Sequence, residues 1–249
     1  MRGYCRGRAT EADRAEAPER ADEPASPLLA ANGDVLVDAL LAGGRDQGAP
    51  LLGHVQADHA SGLELLRRGA VLVTGCHGGE VPSSVPDVRL ARIHLAEREV
   101  GLVFRRGMRL RRVSGLVGRR LATRPPTAGI RAHLDRALRD EGIEPEQAYA
   151  GASLHPSHAE VAMAVVRGDA EIGLTSRGWA IRAGLAFLAL GSEAYGLVLR
   201  AGGLGDPRLV ALGEVAQSAA FRRKLRADFG YDARRTGEIR VGKAPGAER

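Results

Sequence analysis

Short apolar runs alternate with amphipathic stretches in the first part of the folded sequence, and this alternation limits the fold more than any other feature. Strands are predicted at 27–31, 51–55 and 70–73, and helices over 35–40 and 58–68 separate them. A strand–helix–strand order requires a parallel sheet with helices packed on its faces. The sequence therefore predicts an α/β protein.

A second copy of this pattern follows later in the chain. Arg68-Gly69-Ala70-Val71 ends one helix and opens a strand, and Arg167-Gly168-Asp169-Ala170 does the same after a helix that Ser157 is expected to cap. The repeat predicts two similar α/β lobes. The predicted division is a disordered tail over 1–27, lobe I over 28–97 and 197–249, and lobe II over 98–196, with hinge segments near 93–104 and 188–199.

The remaining elements complete a clamshell. Five more strands are predicted at 89–95, 100–104, 171–174, 186–190 and 196–200, and two closing helices at 209–216 and 218–229. Extended segments that cross between two lobes form a hinge. In such a fold the ligand binds where strands end and helices begin.

Composition and charge exclude several classes of protein. Aromatic residues make up 4% of the chain, too few for a surface that stacks nucleic-acid bases. The two cysteines, Cys5 and Cys76, imply no disulfide framework. Because no apolar window has the length of a signal peptide or a membrane span, the expected compartment is the cytoplasm.

The positive charge is unevenly distributed. The formal net charge is +6, and residues 105–124 hold eight arginines and no acidic residue. Such a segment permits contact with nucleic acid. A GC-rich genome, which favours arginine over lysine, accounts for the same composition without any function.

The stretch from Arg124 to Arg131 is the strongest candidate for a ligand site. Pro125-Pro126 ends the preceding strand, and Thr127 is expected to cap a helix. The small pair Ala128-Gly129 would leave the free backbone N–H groups of the first turn accessible, and two arginines flank them. Free donors at a helix N-terminus suit an anion. The alternative is an ordinary loop-to-helix junction with exposed arginines.

Seven stretches follow one another in an order found in a known family, and the chain resembles that family over roughly 28–242. The family comprises the periplasmic-binding-protein-like (type 2) substrate-binding domains that are fused to helix-turn-helix regulators or to molybdopterin-biosynthesis proteins. The matching stretches are 62–69, 74–77, 95–103, 122–131, 157–162, 193–198 and 229–238.

This resemblance implies a two-lobed clamshell in which each lobe is a mixed, mostly parallel sheet flanked by helices. It also implies a sensor for an oxyanion such as molybdate or tungstate. The chain departs from the family at 126–130, which lacks the usual Gly-Ser-Gly-Thr-like turn, and at Asp58, which lies where Gly-Ser is expected. No DNA-binding region precedes residue 28.

Ten residues are predicted to contact the ligand, and some have purely structural alternatives. Asp34 and Ser157 could serve only as helix caps, and Tyr195 could be a core aromatic. His155 and His158 have the spacing of a zinc pair, but no carboxylate or cysteine accompanies them, so no metal is expected. The predicted contacts are Asn32, Asp34, Arg124, Thr127, Ala128, Gly129, Arg131, Ser157, His158 and Tyr195.

The sequence predicts a cytoplasmic, non-enzymatic oxyanion-binding protein without a cofactor. It contains no nucleophile elbow, no P-loop lysine motif and no H-E-x-x-H motif. The main alternative is the effector-sensing domain of a transcriptional regulator that lacks its DNA-binding part. A solute-binding component of a transporter and an enzyme that borrowed the fold are further alternatives. The expected partners are the ligand, a DNA-binding protein and a second copy of this chain, and no membrane span is expected.

Overall fold

The structure is a computed structural model that describes residues 26–50, 52–83 and 88–243, so nearly all of the predicted tail lies outside it. Strands and helices alternate along the described chain, as predicted. In order they are β1 (Leu28–Ala31), α1 (Val35–Asp46), β2 (Gly53–Gln56), α2 (His59–Arg67), β3 (Val73–His77), β4 (Leu90–Phe104), β5 (Leu121–Thr123), α3 (Arg131–Asp140), α4 (Pro145–Tyr149), β6 (Ser153–Leu154), α5 (His158–Arg167), β7 (Ile172–Ser176), α6 (Arg177–Arg182), β8 (Ala186–Arg200), α7 (Pro207–Gln217), α8 (Ala219–Phe229) and β9 (Ile239–Val241).

The strands form a mixed sheet in the order β2-β1-β3-β8-β4-β7-β5-β6, and β9 pairs with β4. The outer strands are parallel: β1 pairs with β2 and β3, and β5 pairs with β6 and β7. The order β2-β1-β3-β8-β4 in one half recurs as β6-β5-β7-β4-β8 in the other. The prediction of an α/β fold built from two similar lobes is therefore confirmed.

Two 15-residue strands, β4 and β8, run antiparallel through both halves of the sheet. The prediction of four shorter strands in their place was wrong. Charged residues interrupt the apolar pattern, yet their backbone stays in the ladder, with Arg98 paired to Glu193. The pairing shifts register between His94 and Ala96 and again between Val100 and Gly101. The predicted hinge segments fall within these strands, and the exact lobe bounds stay a prediction.

Side-chain caps begin four of the helices where the sequence places them. Asp34, Asp58, Ser157 and Ser218 each accept a hydrogen bond from a backbone N–H in the first turn. The predicted cap at Thr127 was wrong. Residues 125–128 form a separate turn, and α3 begins only at Arg131 without any side-chain cap.

The third strand also lies later than predicted, at Val73–His77 instead of 70–73. Gly75 is inside this strand and does not end it. A side chain at that position would overlap the hydroxyl of Tyr195, which approaches from β8. The close approach explains why a glycine, which usually weakens a strand, is used here.

Helices cover both faces of the sheet, and apolar side chains fill the layers between them. In lobe I, Leu36 and Leu40 of α1 pack with Leu225 of α8, while Leu63 and Leu66 of α2 pack on the opposite face. In lobe II, α3 covers one face and α5 and α6 cover the other. Within the described part of the chain, no helix is long and apolar enough to cross a membrane.

Candidate functional site

A small cavity lies where four strands end and two helices begin. Its volume is about 10 Å³, room for about one water molecule. Asn32, Asp58, His77 and Arg124 lie at the carboxyl ends of β1, β2, β3 and β5, which is where a ligand is expected in an α/β fold. The turn before α3 and the first residue of α5 complete the lining with Ala128, Ile130 and His158.

The cavity lies in a cleft between the two lobes, and hydrogen bonds from one lobe to the other close this cleft. The Arg124 guanidinium donates to the carbonyl oxygen of Asn32 at 3.1 Å, and the Thr127 hydroxyl donates to the Asp58 carboxylate at 2.8 Å. The Gln56 amide donates to the carbonyl oxygen of Pro156, also at 2.8 Å. A ligand larger than one water molecule therefore requires the lobes to move apart and some of these bonds to be replaced.

Arg124 lies at the cavity and forms no direct salt bridge among the described residues, although the Asp58 carboxylate at the same cavity acts to raise its pKa. Its side chain is 2% exposed, and its Nε has no hydrogen-bond partner. Among the described residues, no carboxylate lies within 4.0 Å of its guanidinium. Burial lowers the pKa of Arg124 to about 10, and the charge of Arg98 adds to the effect. The group is still cationic at neutral pH, and burying an unpaired charge is costly.

Arg98, on the crossing strand β4, is the opposite case. It is fully buried and donates to Asp34 and to Glu193, each at 2.6 Å. Its guanidinium also lies 4.2 Å from the ring centre of Tyr195. Although burial opposes its charge, Glu193 and Asp34 raise the pKa of Arg98 above its ordinary value. Carboxylates of the protein therefore balance the charge of Arg98. Through these ion pairs the residue holds the two crossing strands to the start of α1.

Several predicted contacts have structural roles in this arrangement. Asp34 accepts hydrogen bonds from the Leu36 amide, Arg98 and Tyr231, which leaves it committed to the protein. Tyr195 packs beside Arg98 and is absent from the cavity lining. Ser157 caps α5 by accepting from the Glu160 amide. Asp34 and Ser157 therefore have the capping role that was the alternative to a ligand contact, whereas the buried Tyr195 hydroxyl has no hydrogen-bond partner among the described residues. The ligand contacts of all three residues stay predictions.

The predicted stretch at 124–131 is only partly at the cavity. Ala128 lines it, and the backbone N–H groups of Gly129 and Ile130 make no hydrogen bond within the described residues. Thr127 instead gives its hydroxyl to Asp58. Arg131 does not line the cavity, because its guanidinium stacks 3.5 Å from the ring centre of Tyr149, and its contact with a ligand stays a prediction.

His158 and Asn32 contact each other across the cleft. The two side chains are joined by a hydrogen bond of 3.3 Å between the Asn32 amide and His158 Nε2. His158 Nδ1 lies 3.1 Å from the hydroxyl of Thr175. Burial and the charges of Arg124 and Arg98 hold the pKa of His158 well below its ordinary value, so the ring is neutral at physiological pH.

Sequence reasoning missed four residues that build this region: Asp58 as a lining residue, His77, Arg98 and Glu193. Glu193 accepts from His77 at 3.0 Å and lies 3.5 Å from His133. The available signal was the presence of charges inside otherwise apolar strands, at Arg98 and Glu193.

No group of three His, Cys, Asp or Glu side chains in the described ranges could hold a metal ion. A second crevice, of about 20 Å³ between α1 and α7, contains no buried polar side chain.

Comparison with known proteins agrees with this architecture. The family model described as the PBP superfamily domain matches residues 51–217, about two thirds of the chain. No curated protein sequence matches the chain significantly.

Solved structures with the same fold include regulators and transport proteins. The regulatory domain of MetR, a LysR family regulator from N. meningitidis, has a TM-score of 0.56 and 13% identity, over 87% of this chain and 97% of its own. A phosphate transporter substrate-binding protein from Clostridium perfringens, with bound phosphate, has a TM-score of 0.60 and 10% identity, over 82% and 98%. An OxyR mutant from Corynebacterium glutamicum has a TM-score of 0.55 and 17% sequence identity, and the match covers 82% of this chain but only 64% of the OxyR chain. At these identities the likeness shows the fold alone.

Proposed function

Because this chain belongs to the PBP superfamily domain family, we propose that its cleft binds a small oxyanion and that the protein acts without catalysing a reaction. The observation that carries the proposal is Arg124, a buried cation at the cavity with no carboxylate partner among the described residues. An oxyanion there would balance the charge and accept hydrogen bonds from the guanidinium in two places.

The surroundings of Arg124 support the same ligand. The unpartnered N–H groups of Gly129 and Ile130 lie just before α3, where the helix dipole also favours negative charge. The strands β4 and β8 connect the two halves of the sheet, so bending them would open and close the cleft. Molybdate and tungstate, which the sequence resemblance implies, therefore belong in the first set of anions to test.

Arg124 and Arg131 belong to the same stretch but are expected to contribute differently to anion binding. We expect Arg124→Gln to weaken anion binding at least about 100-fold, since a charged bidentate contact contributes about 3 kcal/mol. Arg131→Gln is the matched control and should bind like the parent protein, because Arg131 stacks on Tyr149. Isothermal titration calorimetry with phosphate, sulfate, molybdate and tungstate would measure both.

Two outcomes would contradict the proposal. The first is an Arg124→Gln variant that folds and binds the same anion with unchanged affinity. The second is a parent protein that none of the four anions stabilises at millimolar concentration in a thermal shift assay, where ligand binding must raise the melting temperature.

A second candidate function is effector sensing for transcription. It is favoured by the match of the MetR regulatory domain over 87% of this chain. In this role the domain would change its contact with a helix-turn-helix DNA-binding module when a ligand binds. Pull-down of the helix-turn-helix protein encoded nearest to this gene, with and without phosphate, would test the idea. Fractionation of cells would test the cytoplasmic location that we propose for either function.

A further inference from the structure

We infer that lobe II carries a second binding surface, away from the cleft, that contacts the phosphate backbone of duplex nucleic acid. The surface is the segment 105–120, which holds seven arginines and no acidic residue. It connects the end of β4 to the start of β5, whereas Arg124 at the cavity follows the other end of β5. The segment therefore lies at the end of lobe II opposite the cleft, and the inference does not rest on the proposed function.

Buried apolar side chains hold this segment in place. Leu110, Val113 and Leu116 belong to the apolar core that α3 covers. Leu110 is buried, while Arg109 and Arg111 on either side of it are exposed. The arginines therefore leave the surface from backbone positions that the core fixes, so the segment presents a defined set of charges to a partner.

Five of the seven arginines have no carboxylate partner among the described residues. Arg105 and Arg106 donate only to backbone carbonyl oxygens near the ends of α5 and α6, at 2.8 to 3.1 Å. The side chains of Arg109, Arg111 and Arg112 make no hydrogen bond or ion pair within the described chain, and all three residues are exposed. Because the formal net charge of the whole chain is +6, these five arginines are a large part of its positive excess.

The carboxylates that contact the segment leave these five arginines unpaired. Glu171 pairs with Arg119 at 3.2 Å and lies 3.8 Å from Arg120. Glu141 accepts from the backbone N–H groups of residues 113 and 114, at 3.1 and 3.0 Å. Exposed charges contribute little to folding even when they are paired. The stability of lobe II therefore does not account for the unpaired arginines.

The phosphates of a nucleic acid match this surface. A guanidinium can donate two hydrogen bonds to one phosphate, and duplex DNA carries one negative charge about every 1.7 Å along its axis. The segment contains no aromatic residue, whereas proteins bind single strands largely by stacking bases on aromatic rings. The expected contact is therefore with the backbone of a duplex, whose bases stay stacked, and it carries no sequence specificity.

An anionic membrane and an acidic protein match the surface less well. Segments that bind a membrane surface insert apolar side chains among the lipids, and protein interfaces have an apolar or aromatic centre. Within 105–120, all of which the structure describes, Val117 is the only large apolar side chain that is exposed, at 44%. One valine supplies neither an inserted face nor an interface centre.

The test is the binding of a fluorescently labelled DNA duplex to the full chain, followed by anisotropy at several salt concentrations. We expect the logarithm of the binding constant to fall linearly with the logarithm of the salt concentration. The slope should be about −3 to −5, because each phosphate contact contributes about −0.9. Two duplexes of unrelated sequence should bind with equal affinity.

Neutralising three arginines tests where the duplex binds. The triple variant Arg109→Gln, Arg111→Gln and Arg112→Gln should bind at least about 10-fold more weakly, with a slope smaller in magnitude by about 2 to 3. A matched control removes the same charge from exposed arginines on α1 and α8 of lobe I, and it should keep the slope of the parent protein. The control substitutions are Arg45→Gln, Arg223→Gln and Arg226→Gln.

Several outcomes would overturn the inference. A parent protein that binds neither duplex at low salt would do so, whether or not it binds phosphatidylserine vesicles. An equal loss in the control variant would also do so, since net charge alone would then account for binding, and a marked preference for one duplex would contradict backbone recognition. If the triple variant does not fold, Arg111→Gln alone decides, with an expected change of about 1 in the slope. Anion binding in the cleft is tested separately by the calorimetric titrations.

Discussion

His94 shows how burial determines the protonation of a single side chain in this protein. It lies in β4 with 2% of its side chain exposed, and Arg92 donates to its Nδ1 at 3.2 Å. Burial lowers the pKa of His94 to about 4, and the charge of Arg92 adds to the shift. In the unfolded chain the same ring titrates near 6.5. Between these values the unfolded chain binds a proton that the folded protein does not, so stability falls as the pH decreases from about 6.5 towards 4.

His94→Gln should remove this part of the pH dependence. We expect the parent protein to lose about 2 kcal/mol more unfolding free energy than the variant when the pH falls from 7 to 4.5. Urea denaturation at the two pH values would measure the difference. Equal losses in both proteins would mean that His94 titrates normally in the folded state.

The close pairing of the two crossing strands leaves no space for a side chain at one position. At Gly101 in β4, a side chain would overlap the carbonyl oxygen of Leu188 in β8, and the ring of Phe187 leaves no alternative space. The glycine allows the two strands to stay paired next to a shift in register. In contrast, Gly213 in α7 has no neighbouring atom within 4 Å of the position that a side chain would take.

Gly101→Ala should therefore destabilise the protein by about 1–3 kcal/mol, as overpacking does. Gly213→Ala is the matched control and should be neutral or stabilising by up to about 1 kcal/mol, because alanine favours a helix. Thermal unfolding of both variants would compare them. A Gly101→Ala protein as stable as the parent would show that β4 and β8 separate easily at this point.

The local sequence pattern predicts the bounds of some helices and strands, but it does not predict contacts between distant parts of the chain. Ser157 and Gly168 bound α5 as predicted, because capping and helix termination depend on neighbouring residues alone. The crossing of segments near 93–104 and 188–199 was predicted, but their continuity as two 15-residue strands was missed, and so was the stacking of Arg131 on Tyr149, since both depend on partners distant in sequence or in a separate element. The cleft position of Asn32, Arg124 and His158 could be predicted from where strands end, but the pairing of Arg98 with Glu193 could not.

At the scale of the whole molecule, two of the hydrogen bonds that close the cleft join groups that reach solvent. The Thr127 hydroxyl donates to Asp58 across the cleft, and both side chains reach solvent. A bond of this kind contributes little to folding but is broken each time the lobes separate. We therefore expect this bond to slow the dissociation of a bound ligand.

Thr127→Val should raise the dissociation rate of phosphate about 5-fold, the factor that corresponds to one hydrogen bond of about 1 kcal/mol. The unfolding free energy should change by less than about 0.5 kcal/mol. Thr127→Ser retains the hydroxyl and should behave like the parent protein. Stopped-flow measurements would show the difference, and an unchanged rate in the valine variant would mean that this bond does not hold the cleft closed.

The late position of β8 among the described strands limits the order in which the two halves of the sheet can assemble. Strands β1, β2 and β3 leave the ribosome early, but the free edge of β3 is paired only by β8. In the other half, β4, β7, β5 and β6 can pair before β8 exists. Because domains form as their segments become available, lobe II can nucleate first and lobe I is completed last. The cleft needs both halves, so a ligand can bind only after β8 has paired with β3 and with β4.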